Sequence, residues 1–341
     1  MSKKPEDIVV SGMSGRFPLS VNTDEFAKNL FSGVDMVTED DSRWPIGLYD
    51  MSGRMGKLDC YKDFDSPFFG LNDQIIAESD PQARLLLEVA YEAMMDAGVN
   101  PQELRGTKTG VYVGVSIYSM TDGYPEDGQP DLHESMQTLM VQTLANMKTL
   151  YSSRISFAND FKGPCLVVDT ACSASLSALT LACNDLLLGN TDYAIVCGTH
   201  MDFEPFIFQF QQELGICSPD GMSRVLDAAA NGFVKAEAVC CVFLQRRQCA
   251  RRLYGHILTA RMNVDGHKKM GMQRRLYGHI LTARMNVDGH KKMGMFFPSS
   301  EAQEELMRMT YTDAGIDPKK MTFFEAHATG TKVNYMHSCY N

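Results

Sequence analysis

Short apolar runs at 8–10, 110–115, 166–168, 193–198 and 239–244 are too brief for helices and are bounded by Gly, Pro or Asp. They predict buried strands. Between them apolar positions recur at helical spacing. A helix starting near Asp24, capped by Asn22 or Thr23, carries Phe26, Leu30 and Phe31 on one face and ends near Gly33. A second begins at Ser79-Asp80-Pro81-Gln82, buries Leu85, Leu86, Val89, Ala93 and Met94, and stops at Gly98. A third lies within 139–157 around Met147, Leu150, Tyr151 and Ile155, and a fourth carries Leu176, Leu179, Cys183, Leu186 and Leu187 up to Gly189. A further amphipathic helix is predicted over 301–309. Strands alternating with helices predict α/β layers around a mainly parallel sheet. The stretch to Phe69 that holds Trp44, Tyr49, Tyr61, Phe64 and Phe68 is irregular and aromatic, which predicts a long surface loop packed by its rings.

At 341 residues and 44% apolar composition the chain has ample material for a core. No window approaches the roughly 18 uninterrupted apolar residues of a membrane span. Met-Ser-Lys-Lys-Pro at the start lacks the apolar core of a signal peptide, which predicts a cytoplasmic protein. The net charge of −10 argues against nucleic acid as a partner. Ten cysteines, none in a CxxC pair, suggest neither a disulfide framework nor a zinc site. Gly12-Met13-Ser14-Gly15 fits no nucleotide-binding spacing.

The chemistry concentrates where the run at 166–168 meets the helix that follows. Cys172 stands at or near that helix's N-terminus, where unpaired N–H groups and the positive end of the macrodipole favour a thiolate. Ser173, Ala174 and Ser175 leave room for a substrate. The alternative reading is a buried core cysteine at a strand-helix junction.

Asp169-Thr170-Ala171-Cys172-Ser173-Ala174-Ser175 resembles the active-site motif of the β-ketoacyl synthases, whose cysteine carries an acyl chain as a thioester. The resemblance extends from about Glu6 to about Val333 and is nearest to the ketosynthase domains of animal-type fatty acid synthases, with polyketide synthases next. It implies a thiolase-like fold, layered helix-sheet-helix-sheet-helix, with the second half incomplete. Residues 1–245 would form the nucleophile half, 246–333 a partial C-terminal half, and 334–341 an unrelated tail. Phe323-Phe324-Glu325-Ala326-His327-Ala328-Thr329-Gly330-Thr331 resembles the family's Glu-Ala-His-Gly-Thr-Gly-Thr and assigns the first catalytic histidine to His327. Lys235-Ala236-Glu237-Ala238 departs from the family's Arg-x-Glu-Gly, a change that matters if that backbone needs positive φ. The second histidine, the supporting lysine and the Gly-Phe-Gly loop of the family have no counterpart after Val333, so little or no condensing activity is expected of this chain.

The function implied is acyl transfer to Cys172 followed by decarboxylative condensation with a malonyl thioester. No cofactor is bound in this reading. Substrates arrive as phosphopantetheine thioesters on acyl carrier protein, and a homodimer is possible. Three alternatives stay open: a catalytically silent acyl- or carrier-binding relative, a polyketide synthase fragment, and a thiolase or thioester hydrolase using Cys172 and His327.

Residues 251–272 recur letter for letter as 274–295, separated by Gln273. Two perfect copies do not make a solenoid. Family text continues to the left of the first copy and to the right of the second, so one copy is expected to supply a strand and the other to be extruded as a basic loop. The spacing of His256, His267, His279 and His290 invites a metal reading, which the lack of an accompanying Cys or acidic cluster argues against.

Overall fold

A computed structural model describes residues 7–71, 79–116, 145–225, 227–257 and 260, with scattered positions between 304 and 320. The apolar runs become strands of one six-stranded sheet: β1 (Ile8–Arg16), β4 (Thr109–Val115), β5 (Cys165–Val168), β6 (Tyr193–His200), β7 (Ala238–Arg246) and β8 (Gly255–Ile257). Their spatial order is β5-β4-β6-β7-β1-β8. A two-residue ribbon of β2 (Thr38–Glu39) and β3 (Arg54–Met55) stands apart.

Helices cover both faces. On one face, α2 (Pro81–Asp96) and α3 (Leu150–Asn159) bring Leu85, Leu86, Val89, Met94, Tyr151 and Ile155 against Val111, Val113, Ile195, Cys197 and Phe243. On the other, α4 (Ala174–Leu188) packs Ala178, Leu179, Ala182, Cys183 and Leu186 on Tyr112, Ala194, Val196 and Leu244. The alternation of Val111, Tyr112 and Val113 between the two cores is the period-two rule of a strand buried on both sides. The described residues therefore build a helix-sheet-helix half.

The expected caps hold. Asn22 accepts from the Glu25 N–H at the start of α1 (Thr23–Phe31), Asp80 from the Gln82 N–H at the start of α2, and Gly189 ends α4 at φ 77°. The apolar face predicted for α1 is not buried: Phe26 stacks on Phe17 at 4.3 Å, but Leu30 and Phe31 are exposed.

Two expectations are corrected. The sheet is mixed: β4 runs parallel to β5 and β6, whereas β6–β7, β7–β1 and β1–β8 are antiparallel. An unbroken apolar run reports burial on both faces, and the two helical layers bury parallel and antiparallel strands alike. Nor is 166–168 a buried strand, because β5 forms the sheet edge and leaves Leu166 42% exposed.

The aromatic stretch before Phe69 packs as expected, with Trp44 on Phe208, Tyr61 on Phe203, and Phe68 and Phe69 on Tyr91. The stretch 171–188 is long and apolar enough for a membrane span by composition alone. Its packing on β4 and β6 makes it a core helix.

Strand β8 comes from the first duplicated copy. Its residues pair with β1, Tyr254 N–H donates to the Val10 carbonyl at 2.9 Å, and Arg252 and Tyr254 both engage Asp96 at the end of α2. The second copy lies outside the described residues.

Candidate active site at the strand-to-helix turn

Residues 169–173 turn the chain from β5 into α4, and the turn is strained. Ala171 sits at φ 51°, a left-handed conformation that costs a non-glycine residue about 1 kcal/mol or more. Local hydrogen bonds hold it there. The Ala171 N–H donates to the Asp169 carboxylate at 3.1 Å, the Ala174 N–H to the Ala171 carbonyl at 2.9 Å, and Ser173 Oγ to the Thr170 carbonyl at 2.8 Å. Thr170 and Ser177 share a hydroxyl contact of 2.8 Å. Ser173 is thus buried as a fastener of the turn, where the sequence suggested open space for substrate.

The sheet sets the position of this turn. Gly114 on β4 and Gly198 on β6 are register partners, and both lie under Ser175. A Cβ on Gly114 would fall 2.5 Å from the Ala174 carbonyl carbon, and one on Gly198 would fall 2.9 Å from Ser175 Cβ. Both are far inside van der Waals contact. Two side-chain-free positions on adjacent strands let the first turn of α4 settle onto the sheet and fix Cys172 at the C-terminal rim of the parallel strands.

Cys172 is exposed, whereas Cys183, within α4 itself, is buried in the core. Burial pushes the Cys183 thiol up to about 12. The Cys172 thiol is also raised above its ordinary value: the loss of water around it outweighs the opposing backbone hydrogen bond. Desolvation at this rim thus opposes the thiolate preference expected from the helix N-terminus. His327, the other predicted site residue, lies outside the described residues.

A buried polar cluster lies at the same rim. His200 ends β6, and its Nε2 stands 3.0 Å from Asp202 Oδ2. Lys235 Nζ donates to Asp202 Oδ1 at 2.6 Å, and the Asp202 N–H donates to Glu237 at 3.2 Å. Burial by itself would raise the Asp202 pKa, but His200 and Lys235 more than offset it and hold the carboxyl well below its usual range. Glu237, fully buried, also takes the Arg43 guanidinium through bonds of 2.8 and 2.6 Å and the Leu58 N–H at 2.8 Å. It ties the aromatic stretch to the end of the sheet. Lys148 Nζ stands 3.4 Å from the carbonyl of Ser116, just past β4; burial lowers its pKa while Asp80, Asp169 and Asp202 oppose that.

Sequence reading missed His200, Asp202 and Lys148. The available signal was the His-x-Asp pair closing an apolar run. The Ala238 substitution proves harmless: it is not among the residues with positive φ, and it pairs with His200 as ordinary strand. Among the described residues no group of three His, Cys, Asp or Glu side chains is placed to hold a metal ion.

Comparison with known proteins places this geometry. The model of the β-ketoacyl synthase N-terminal domain matches residues 5–250, and that of the β-ketoacyl synthase C-terminal domain matches 277–336. The chain belongs to the β-ketoacyl synthase family, condensing enzymes of the acyltransferase type. It is 39% identical over 328 residues to a fatty acid synthase of Anser anser anser, covering 96% of this chain and 85% of that one. It is 35% identical over 346 residues to the lovastatin nonaketide synthase mokA of Monascus pilosus, covering 96% of this chain but only 10% of that much longer protein. Among solved structures it resembles the ketosynthase from module 6 of the bacillaene synthase of Bacillus subtilis 168, with a TM-score of 0.76 and 31% identity, covering 96% of this chain and 52% of that one. The fold is thus thiolase-like, and the described helix-sheet-helix layers are part of it.

Proposed function

We propose that this chain is a β-ketoacyl-[acyl-carrier-protein] synthase of fatty acid synthesis with Cys172 as its acyl-carrying nucleophile, its condensing step weakened because the sequence matches the family's first histidine, at His327, but not the second. The observation that carries the reading is the strained turn at Ala171, which presents an exposed thiol at the sheet rim within the family's motif. The fatty acid assignment over a polyketide one is supported by the higher identity to the goose fatty acid synthase and by the share of that protein it spans.

In the first half-reaction Cys172 Sγ attacks the carbonyl of an acyl thioester. The phosphopantetheine thiol leaves with the proton, and the acyl group stays on sulfur. In the second a malonyl thioester loses carbon dioxide, and the enolate carbon attacks the Cys172 thioester. The carbon–carbon bond forms, the carbon–sulfur bond breaks, and the Cys172 thiolate is freed. His327 donates a hydrogen bond to the thioester oxygen as negative charge builds there. Because the Cys172 thiol is raised, its proton must leave as the acyl group arrives.

The partners are acyl carrier protein and a second copy of this chain. The exposed edge of β5, with Leu166 and the neighbouring Phe157 of α3 in solvent, is the surface along which two copies would pair, and the protein would work in the cytoplasm. The experiment is condensation by the full chain supplied with an acyl thioester and malonyl-carrier protein. Formation of the 3-oxoacyl product by the wild type and its loss in Cys172→Ala supports the reading. Product formation by Cys172→Ala overturns it.

A further inference from the structure

We propose that His200, oriented by Asp202, is a general base that hydrolyses the acyl group from Cys172, giving this chain a thioesterase activity beside condensation. The inference rests on the reading of Cys172 as the acyl carrier.

Placement comes first from strand register. β4 and β5 align Gly114 with Val168, and β4 and β6 align Val115 with Thr199. Ser116 and His200 are the residues that follow this last β4–β6 pair, and the Cys172 turn follows Val168 at the end of β5. β5 and β6 lie two strand spacings, about 10 Å, apart, with the Cys172 turn at the end of one and His200 at the end of the other. Alternation along β6 then fixes the face. Gly198 lies under Ser175 of α4, Thr199 turns the other way to Gln82 of α2, and His200 returns to the α4 side, where the Cys172 turn lies. Lys148 sits on the Ser116 carbonyl between them and feels the charges of both Asp169 and Asp202. The thiol and the imidazole thus belong to one rim of the sheet, on its α4 side.

Orientation comes from the buried charges. Asp202 is 5% exposed and is held from behind by Lys235 and Glu237, while its remaining oxygen meets a His200 side chain that is 48% exposed. With the carboxylate accepting from Nε2–H, Nδ1 is left as the acceptor. Burying an ion pair carries a desolvation cost. Here it is spent on fixing the tautomer of an imidazole that solvent reaches, the base-and-orienter arrangement of nucleophilic hydrolases. In the step, a water proton passes to His200 Nδ1 and the water oxygen bonds to the acyl carbonyl carbon. The carbon–sulfur bond breaks, Cys172 Sγ takes that proton back from His200 Nδ1, and a free carboxylic acid leaves.

The test loads the full chain with a radiolabelled acyl thioester, removes excess reagent, and follows loss of label from Cys172 as free acid. His200→Gln is expected to acylate at the wild-type rate and to release acid at least about 100-fold more slowly. Added imidazole should restore release in His200→Ala, and hydroxylamine, which needs no base, should discharge wild type and both variants equally. Equal rates of acid release in wild type and His200→Gln overturn the proposal while leaving Cys172 as acyl carrier. Failure of the wild type to take label on Cys172 overturns the carrier reading and this inference with it.

Discussion

Cys172 in the turn before α4 and Cys183 within α4 are the same residue type, yet one is exposed and the other is buried. The first stands where a strained turn and two side-chain-free sheet positions lift it to the rim; the second faces Tyr112, Ala194 and Val196 in a closed apolar layer. A thiol becomes addressable through the backbone that presents it. The helix terminus alone does not achieve this, since desolvation keeps even Cys172 above its ordinary pKa.

The comparison can be broken most severely by removing each sulfur. Cys172→Ala should abolish uptake of an acyl group from a thioester and leave the urea midpoint unchanged, whereas Cys183→Ala should retain that uptake and cost about 1 kcal/mol of stability. Equal loss of activity in both would show that the two sites differ less than their surroundings suggest.

A second test concerns the charges behind the rim. Asp202→Asn leaves Lys235 buried without its partner and should cost about 3 kcal/mol at neutral pH. The folded pKa of Asp202 is depressed, so its stabilisation is complete above the unfolded carboxyl value of about 3.9 and is lost as pH falls below it. Urea midpoints of wild type and variant should therefore converge in acid; a gap that persists at low pH would assign the effect to packing.

Third, Gly114→Val drives a side chain into the backbone of Ala174 and Ser175 and should cost about 2 kcal/mol while slowing alkylation of Cys172. Unchanged alkylation would mean that the sheet does not set the turn. The smallest effect is a matter of pH: alkylation of Cys172 should go on rising through pH 9, where a dipole-stabilised thiolate would have levelled off.

Motif and punctuation carried most of what the sequence made legible. Cys172 stood out through its neighbours 169–175, and the helix bounds followed from Asn22, Asp80 and Gly189, whose roles are local. What stayed hidden depends on distant pairing. Strand direction was illegible because apolar runs report burial alone. The exposure of Leu166 depends on β5 having one neighbour, which no local pattern records. His200 and Asp202 gain meaning from Lys235, 33 residues on from Asp202, and from a register that brings β6 beside β4. The two duplicated copies were indistinguishable by letters. Asp96 and β1 engage the first of them.

The most direct measurement is peptide mapping by mass spectrometry after brief exposure of the folded chain to a limiting acyl thioester. The account predicts one acyl group per chain, on the peptide that contains Cys172, with Cys183 unmodified until the protein is unfolded. Acylation of exposed Cys60 or Cys249 ahead of Cys172, or no adduct on Cys172 at all, would contradict it.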